Sequence, residues 1–537
     1  MKNSKRLLII INQKSISIKV WVAFMKKTIY SISFLVITSF ISFAQTKPVD
    51  LTKLDTYIEQ SRKDWGLPGL SIAIVRNDSV LFSKGYGIKS IDKPETDPSN
   101  KVDDHTLFAI ASLSKAFTSA SIGILVDDKK LKWDDKVTEH LPYFQMYDSY
   151  VTREMTIRDL LSHRSGLETF SGDLVWWGTT HSRKEVIESV RYLKPPFSFR
   201  SKYGYQNLMF LTAGEIIPAV TGKSWDDFVR DSIFVPLGMN ETNTSVTQLK
   251  PGLNFATPHL KWNDHLITVP YRNVDNVGSA AAINSNVSDL SKWMRMWLRK
   301  GDNSVVSDNI RHEVWTPQTI IPISKRGLEA LPSRHFMSAG MGWFMYDYHG
   351  RKILNHSGGM DGMISYLVLV PEEKFGFVIL SNSYETPSGA LVYKILDLYL
   401  AGIDRDWCGE NLVQLKKAEE KAKDDAKKAE LERNKNSKPS LALNDYTGNY
   451  HSDLYGDVAV ILNSNHLAVE FIPSPTFNDA SLTHWQYDTF QIELADKALP
   501  KGLVTFILDK NGKVEQMKID IPNPDFDFGE LELKKVK

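Results

Sequence analysis

At 537 residues the chain is too long for one compact core and is expected to fold as a larger and a smaller unit. An apolar share of 42% and an aromatic share of 11% exclude a disordered protein. With 65 Lys and Arg against 64 Asp and Glu, no global field draws in nucleic acid or an acidic membrane, so the partner suggested is a small-molecule or peptide substrate read locally.

In chain order, the first signal is for export. Met25-Lys26-Lys27 precedes an apolar run from Ile29 to Phe43, and Ser42-Phe43-Ala44 suits a signal-peptidase cut before Gln45, so Met25 reads as the true start. The run is shorter than the roughly 20 residues a membrane-spanning helix needs. Residues 1–44 are therefore expected to be a signal peptide leading to the periplasm or the exterior, with retention as an anchor the alternative. The only cysteine, Cys408, lies far from the cut, which leaves no lipid-attachment site and no intramolecular disulfide; it reads as a small buried hydrophobe.

Residues 45–410 are expected to form the larger unit. Leu51 to Trp65 has helical periodicity and is broken by Leu67-Pro68-Gly69; strands at Leu70 to Val75 and Val80 to Lys84 flank the turn Arg76-Asn77-Asp78. A helix beginning near Ser112 and running through Ile122 to Val126 is apolar almost all round, the mark of a helix buried inside a domain. Further helices are predicted at Ile157 to Leu161, Leu208 to Val220, Trp225 to Ile233 and Val287 to Leu298. Strands return at Lys352 to Asn355, Met363 to Val370 and Gly376 to Ser381. Strands, many helices, then strands predict an α+β layer in which the two ends of the unit share one antiparallel sheet.

Lys416 to Lys438 has almost no large apolar residue, and its opposite charges recur at three- and four-residue spacing; residues 411–440 read as a charged, solvated helical linker. From residue 441 to 537 the pattern is β. Hairpins at Val458 to Leu462 with Leu467 to Ile472, and at Leu503 to Leu508 with Val514 to Ile519, together with Thr489 to Leu494, predict a small barrel or sandwich.

Three motifs carry chemistry. In Phe108-Ala109-Ile110-Ala111-Ser112-Leu113-Ser114-Lys115 a hydroxyl and an amine stand one helical turn apart on one face. A serine hydroxyl is a weak nucleophile until a base takes its proton, and a lysine can do so only if desolvation or nearby cations keep it neutral. The bland alternative is a helix N-cap with an exposed lysine. In Tyr203-Gly204-Tyr205-Gln206-Asn207 a tyrosine near Lys115 could share the proton transfer as a phenolate stabilised by the ammonium, and Asn207 could bond a substrate carbonyl. In His356-Ser357-Gly358-Gly359, between two predicted strands, glycines would let a substrate backbone approach and the histidine could orient it or pass a proton.

Taken together, S-x-x-K on a buried helix, Y-x-N before a helix and H-x-G at a strand resemble the serine β-lactamase and penicillin-binding superfamily, in particular its class C β-lactamase-like branch of esterases and peptidases. Thr156-Ile157-Arg158-Asp159-Leu160-Leu161-Ser162-His163-Arg164-Ser165-Gly166-Leu167, Phe234-Val235-Pro236-Leu237-Gly238-Met239 and Leu380-Ser381-Asn382 are similar to further segments of that family, and the β-rich end looks like the small β-domain often appended to it. The resemblance implies a β-lactamase/transpeptidase-like domain followed by an all-β domain. It makes Ser112 the acylated nucleophile, Lys115 and Tyr205 the proton-transfer pair, and Asn207, His356, Ser357 and Gly358 the substrate-binding residues. The backbone amides of Ser112 and Gly359 become the oxyanion hole, with no metal or organic cofactor. His163 and Arg164 read as structural.

One departure matters. True β-lactamases of this superfamily usually have Lys where this chain has His356, and a mostly neutral imidazole weakens the anchor for a drug's carboxylate. A peptidase or esterase acting on D-amino-acid peptides, cell-wall fragments or small esters is therefore expected. The alternatives are a β-lactamase, or a penicillin-binding sensor that acylates without turnover. Trp176 and Trp177, in the loop Phe170 to His181, could stack on a substrate ring or simply pack.

Overall fold

The computed structural model describes residues 49–299, 301, 305–523 and 525–536; the expected signal peptide lies outside them. No helix among the described residues is long and apolar enough to cross a membrane. The chain divides into two compact units. One, Asp50–Leu396 with Asp404–Lys537, holds the whole sheet and the barrel described below; of the other, Val49 and Asp397–Ile403 are described.

Helix α1 (Leu51–Asp64) starts at Asp50, whose carboxylate accepts from the Thr52 and Lys53 amides and so satisfies donors that the first turn leaves free. Strands β1 (Gly69–Arg76) and β2 (Ser79–Gly87) follow. Asn77 and Asp78 between them both have positive φ, as a two-residue turn matching strand twist requires. Helix α2 (Ser114–Asp127) is buried along almost its whole length, in keeping with its all-round apolar sequence. Helices α3 (Asn207–Thr221) and α4 (Val287–Leu298) pack with it, Phe117 of α2 stacking on Trp293 of α4 at 4.0 Å.

Six more strands complete the sheet: β3 (Thr319–Ile321), β4 (Met337–Ala339), β5 (Phe344–Tyr348), β6 (Arg351–Met360), β7 (Met363–Val370) and β8 (Phe375–Ser381). The antiparallel order is β2-β1-β8-β7-β6-β5-β4-β3, with Ile72 opposite Ile379 where the two ends of the domain meet. The shared sheet is as expected from the element order. Strands β3 to β5 escaped the sequence because they are short and lack clean alternation.

Strand β6 corrects another expectation. Its predicted end at Asn355 would leave the H-x-G segment in a loop; instead it continues to Met360, with His356 opposite Leu367 and Gly358 opposite Ser365 on β7. Pairing with β5 does stop, at Asn355 opposite Phe344. Beyond that point the turn carrying Ser112 lies alongside β6. Gly358 is there for that close approach, and neither glycine breaks the strand.

Helix α6 (Trp407–Glu432), which follows α5 (Ser388–Leu400), is the charged segment. It is less free than a solvated spacer. Trp407 and Cys408 are buried at its start, and the pairs Lys261–Glu419 (2.6 Å) and Lys423–Asp264 (2.9 Å) hold its middle to the hairpin His259–Thr268. The C-terminal domain is a closed eight-stranded barrel: β9 (Gly448–Ser452), β10 (Gly456–Asn463), β11 (His466–Phe471), β12 (Ala480–Gln486), β13 (Thr489–Glu493), β14 (Gly502–Leu508), β15 (Val514–Asp520) and β16 (Leu533–Lys535). Five of these strands were expected; β9, β12 and β16 were not. Closure between β9 and β16, Tyr450 opposite Lys535, removes the exposed edges an open sheet would present.

The barrel packs on the loop Phe170 to His181. The Thr180 amide donates to the Pro473 carbonyl at 2.8 Å, Ser474 Oγ donates to the Gly178 carbonyl at 3.0 Å, and the rings of Trp177 and Phe526 lie 4.5 Å apart.

Candidate active site

Ser112 sits in the tight turn Ala111–Leu113 that leads into α2, after Ala111 at φ 46°. A non-glycine residue in that region costs of order 1 kcal/mol and persists only where the surroundings enforce it. Here the Ile110 amide donates to the Ile283 carbonyl, and Ser365 Oγ of β7 donates to the Ile110 carbonyl at 2.8 Å. The Ser112 side chain forms no helix cap.

One turn on, Lys115 is fully buried. Its Nζ lies 3.0 Å from Ser112 Oγ, 2.6 Å from Asn207 Oδ1 and 3.0 Å from the Ala280 carbonyl oxygen. Burial lowers its pKa to about 7, against a smaller opposing pull from Asp173. Near neutral pH a large fraction is therefore the free amine, whose lone pair can take the Ser112 proton. The alternative of a capping serine with an exposed lysine does not describe this pair.

Tyr205 meets Lys115 with its ring, Nζ lying 4.7 Å from the ring centroid. Burial pushes the phenol well above its ordinary range, with the Ser112 hydroxyl the one neighbour pulling it down. Burial of the ring thus opposes the phenolate expected from the sequence, while the ammonium form of Lys115 beside it would favour it. His163, expected to be structural, stacks on this ring. Arg164 ion-pairs with the buried Asp159, which Arg200 also reaches and which caps the helix Ile157–Leu160 with Thr156.

Asn207 opens α3 and is buried. Its Oδ1 faces Lys115 and its Nδ2 donates to Asp173 Oδ2 at 2.6 Å, so one of the two amide protons expected to serve substrate is already engaged. Asp173 was not anticipated from the sequence. The available signal was a single carboxylate in the apolar stretch Gly172 to Trp177, which must be buried and therefore needs donors. Trp176 Nε1 supplies one at 2.9 Å, and Trp177 packs against the Arg272 guanidinium at 4.4 Å.

On β6, His356 is 2% exposed and donates from Nδ1 to the Ser357 carbonyl at 2.6 Å. Burial, with Lys115 nearby, lowers its pKa to about 3, so the imidazole is neutral. Ser357 and Gly359 are exposed, while Gly358 is buried on the opposite face of the strand. The role expected for Gly358 changes accordingly. A Cβ there would lie 2.2 Å from the Ile110 oxygen and 2.9 Å from the Ser112 nitrogen, so it touches the nucleophile turn and not the cavity.

These groups surround a cavity of about 320 Å³ lined by Ser112, Tyr205, Asn207, His356, Ser357 and Gly359. Aromatic side chains form most of the remaining wall, Phe526 of the C-terminal segment among them, and Asp173 and Asp525 are its two carboxylates.

The Beta-lactamase family model matches residues 54–400, and a model described as a domain of unknown function (DUF3471) matches residues 432–535. The chain is 30% identical over 438 residues to the unguisins hydrolase of Aspergillus campestris (strain IBT 28561), covering 75% of this chain and 76% of that protein. Among solved structures, the octameric penicillin-binding protein homologue from Pyrococcus abyssi superposes with a TM-score of 0.59 at 19% identity, covering 90% of this chain and 100% of the other. A D-stereospecific amidohydrolase from Streptomyces sp. gives 0.53 at 20% identity, covering 66% and 99%.

Proposed function

The chain belongs to the Beta-lactamase family and is a serine hydrolase; from that premise we propose that it cleaves an ester or amide through an acyl-enzyme on Ser112, as a peptidase or esterase for D-amino-acid peptides, cell-wall fragments or small esters. The observation that carries this reading is Lys115: buried, 3.0 Å from the Ser112 hydroxyl, with a pKa near 7. In the free-amine form Lys115 takes the Ser112 proton as Oγ attacks the carbonyl carbon. The Ser112 and Gly359 amides receive the developing oxyanion. Collapse breaks the bond to the leaving group, which takes a proton from the Lys115–Tyr205 pair. Water, deprotonated by the same pair, then releases the acid and frees Ser112.

Two features favour this class over β-lactam hydrolysis. His356 is neutral where a carboxylate-binding cation would stand, and the acidic groups on the cavity wall, Asp173 and Asp525, supply no cation. A hydrolase of unguisins and a D-stereospecific amidohydrolase among the similar proteins fit the same direction. The segment Met25 to Ala44 supports export to the periplasm or exterior as the site of action.

The test is mass spectrometry of Ser112 after exposure to D-amino-acid peptides, cell-wall fragments, β-lactams and simple esters, paired with steady-state kinetics. A burst followed by turnover on a D-amino-acid amide or ester is the expected outcome. Acylation without turnover would point to a sensor, faster turnover of β-lactams to a β-lactamase, and hydrolysis surviving Ser112→Ala would remove the nucleophile assignment.

A further inference from the structure

Asp173 is 2% exposed and sits among the buried side chains of Leu174, Val175 and Trp176. A carboxylate in such a place is costly unless donors reach it. Burial raises the Asp173 pKa to about 7, while the Trp176 and Asn207 donors and Lys115 favour the ionised form. With Oδ2 accepting from Asn207 Nδ2 and Oδ1 from Trp176 Nε1, Asp173 dictates which way the Asn207 amide points. The amide oxygen is left for Lys115 Nζ. With the amide reversed, its NH2 would face the lysine, repelling the ammonium form or occupying the lone pair that the Ser112 proton needs, and its oxygen would face the carboxylate.

The barrel reaches the same turn. Glu530, on the short turn Phe528–Leu531, accepts from the Gly172 amide at 2.7 Å and from the Ser171 hydroxyl. Gly172 has φ 81°, and a Cβ there would lie 2.6 Å from Leu208 of α3. The residue before Asp173 is thus clamped between the barrel and the helix that Asn207 opens.

We propose that Asp173 is a positioning residue of this hydrolase, acting through Asn207 to hold Lys115 at the Ser112 hydroxyl, and that Glu530 of the C-terminal barrel keeps Asp173 in place. With Lys115 as the base, as proposed above, the Asp173 charge also favours the ammonium form and opposes the effect of burial. The other titratable groups facing the pair are Tyr203, Tyr205, His163, His356, Glu530 and Asp525. Burial raises both tyrosines and both carboxylates and keeps the two imidazoles neutral.

The deciding measurement is the pH profile of kcat and kcat/KM for Asp173→Asn on an activated ester, beside the wild-type enzyme. Asparagine has one acceptor oxygen for two donors, so the Asn207 amide loses its enforced orientation. The expected result is a kcat at least about tenfold lower with KM within about threefold, and an acid limb of kcat/KM displaced to lower pH, because the ionised fraction of Asp173, whose pKa is raised to about 7, no longer favours the ammonium form of Lys115. A packing role alone would not move the limb, so an unmoved limb or an unchanged kcat overturns the proposal. Should Asp173→Asn fail to fold, the barrel decides. Glu530→Ala is expected to lower kcat at constant KM, with Glu530→Gln restoring it through its remaining acceptor; unchanged kcat in Glu530→Ala overturns the proposal. The nucleophile assignment fails separately, through activity that survives Ser112→Ala.

Discussion

The imidazole of His163 stacks on the phenol ring of Tyr205, centroids 4.4 Å apart and planes 26° from parallel. Its Nδ1 accepts from the backbone amide of Gln206 at 3.1 Å, so one ring fixes both the face of Tyr205 and the chain immediately after it. Burial holds this imidazole well below its ordinary pKa, which keeps Nδ1 an acceptor.

His163→Ala should therefore destabilise the fold by about 3 kcal/mol, the cost of a buried ring and an orphaned amide together, and should lower kcat because Tyr205 loses its support. His163→Phe keeps the stack and loses only the acceptor, for about 1 to 2 kcal/mol. Urea denaturation of the two variants separates these contributions.

The pH dependence follows from Lys115. The base must be unprotonated, and its pKa is lowered to about 7, so kcat/KM should rise with pH through that value and level off above it. Lys115→Arg places a cation that does not titrate in this range, and kcat should fall by about a thousandfold or more at every pH. A Lys115→Arg variant that retained wild-type turnover would disprove the role of this residue.

Gly358→Ala tests the approach of β6 to the nucleophile turn. The added methyl would stand 2.2 Å from the Ile110 oxygen, a backbone atom that Ser365 also holds, so the strand itself has to move. An activity loss of about a hundredfold is expected, since displacements near 1 Å cost that much when reacting groups are misplaced. Ester kinetics alongside thermal unfolding measure it.

At His356 the prediction concerns choice of substrate. His356→Lys puts a cation in reach of the cavity, and the ratio of kcat/KM for a carboxylate-bearing β-lactam to that for a neutral ester should rise by about tenfold, the worth of one charge-assisted hydrogen bond. A falling or constant ratio would show that the neutral imidazole does not set the preference.

Arg272 joins the barrel to the strand that carries Gly359. It pairs with Asp361, just past the end of β6, at 2.6 Å, and with Asp496 of the C-terminal domain, all three side chains being at most 9% exposed. Arg272→Met leaves both carboxylates buried without their cation and should cost about 3 to 5 kcal/mol at neutral pH. Asp361 already has its pKa raised to about 6 by burial, and losing the guanidinium raises it further. A raised carboxylate pKa means stability that falls as pH climbs from the unfolded value near 4 through the folded one, so the deficit should be smaller at pH 5 than at pH 8. Unfolding curves at the two pH values check the sign.

The legible parts of this protein were local. The pairing of Ser112 with Lys115 depends on one helical turn, and the apolar surface around it in the sequence of α2 already implied the burial that lowers the lysine's pKa. The Asn77-Asp78 turn, the span of α4 and five barrel strands were likewise readable from neighbours in the chain. Partner choice over long separations was not. Asp173 finds Asn207 across 34 residues, and Glu530 finds Gly172 across 358. The apolar stretch around Asp173 signals its burial, but nothing in the residues themselves says which distant donors either carboxylate will meet. The same holds for Tyr205, whose type and place in the order were readable but whose protonation state follows from burial; for His356 a mostly neutral imidazole was already expected. Sequence alone determined which residues could do the chemistry, and only the tertiary structure decided their orientation and charge, because both depend on desolvation by segments far away in the chain.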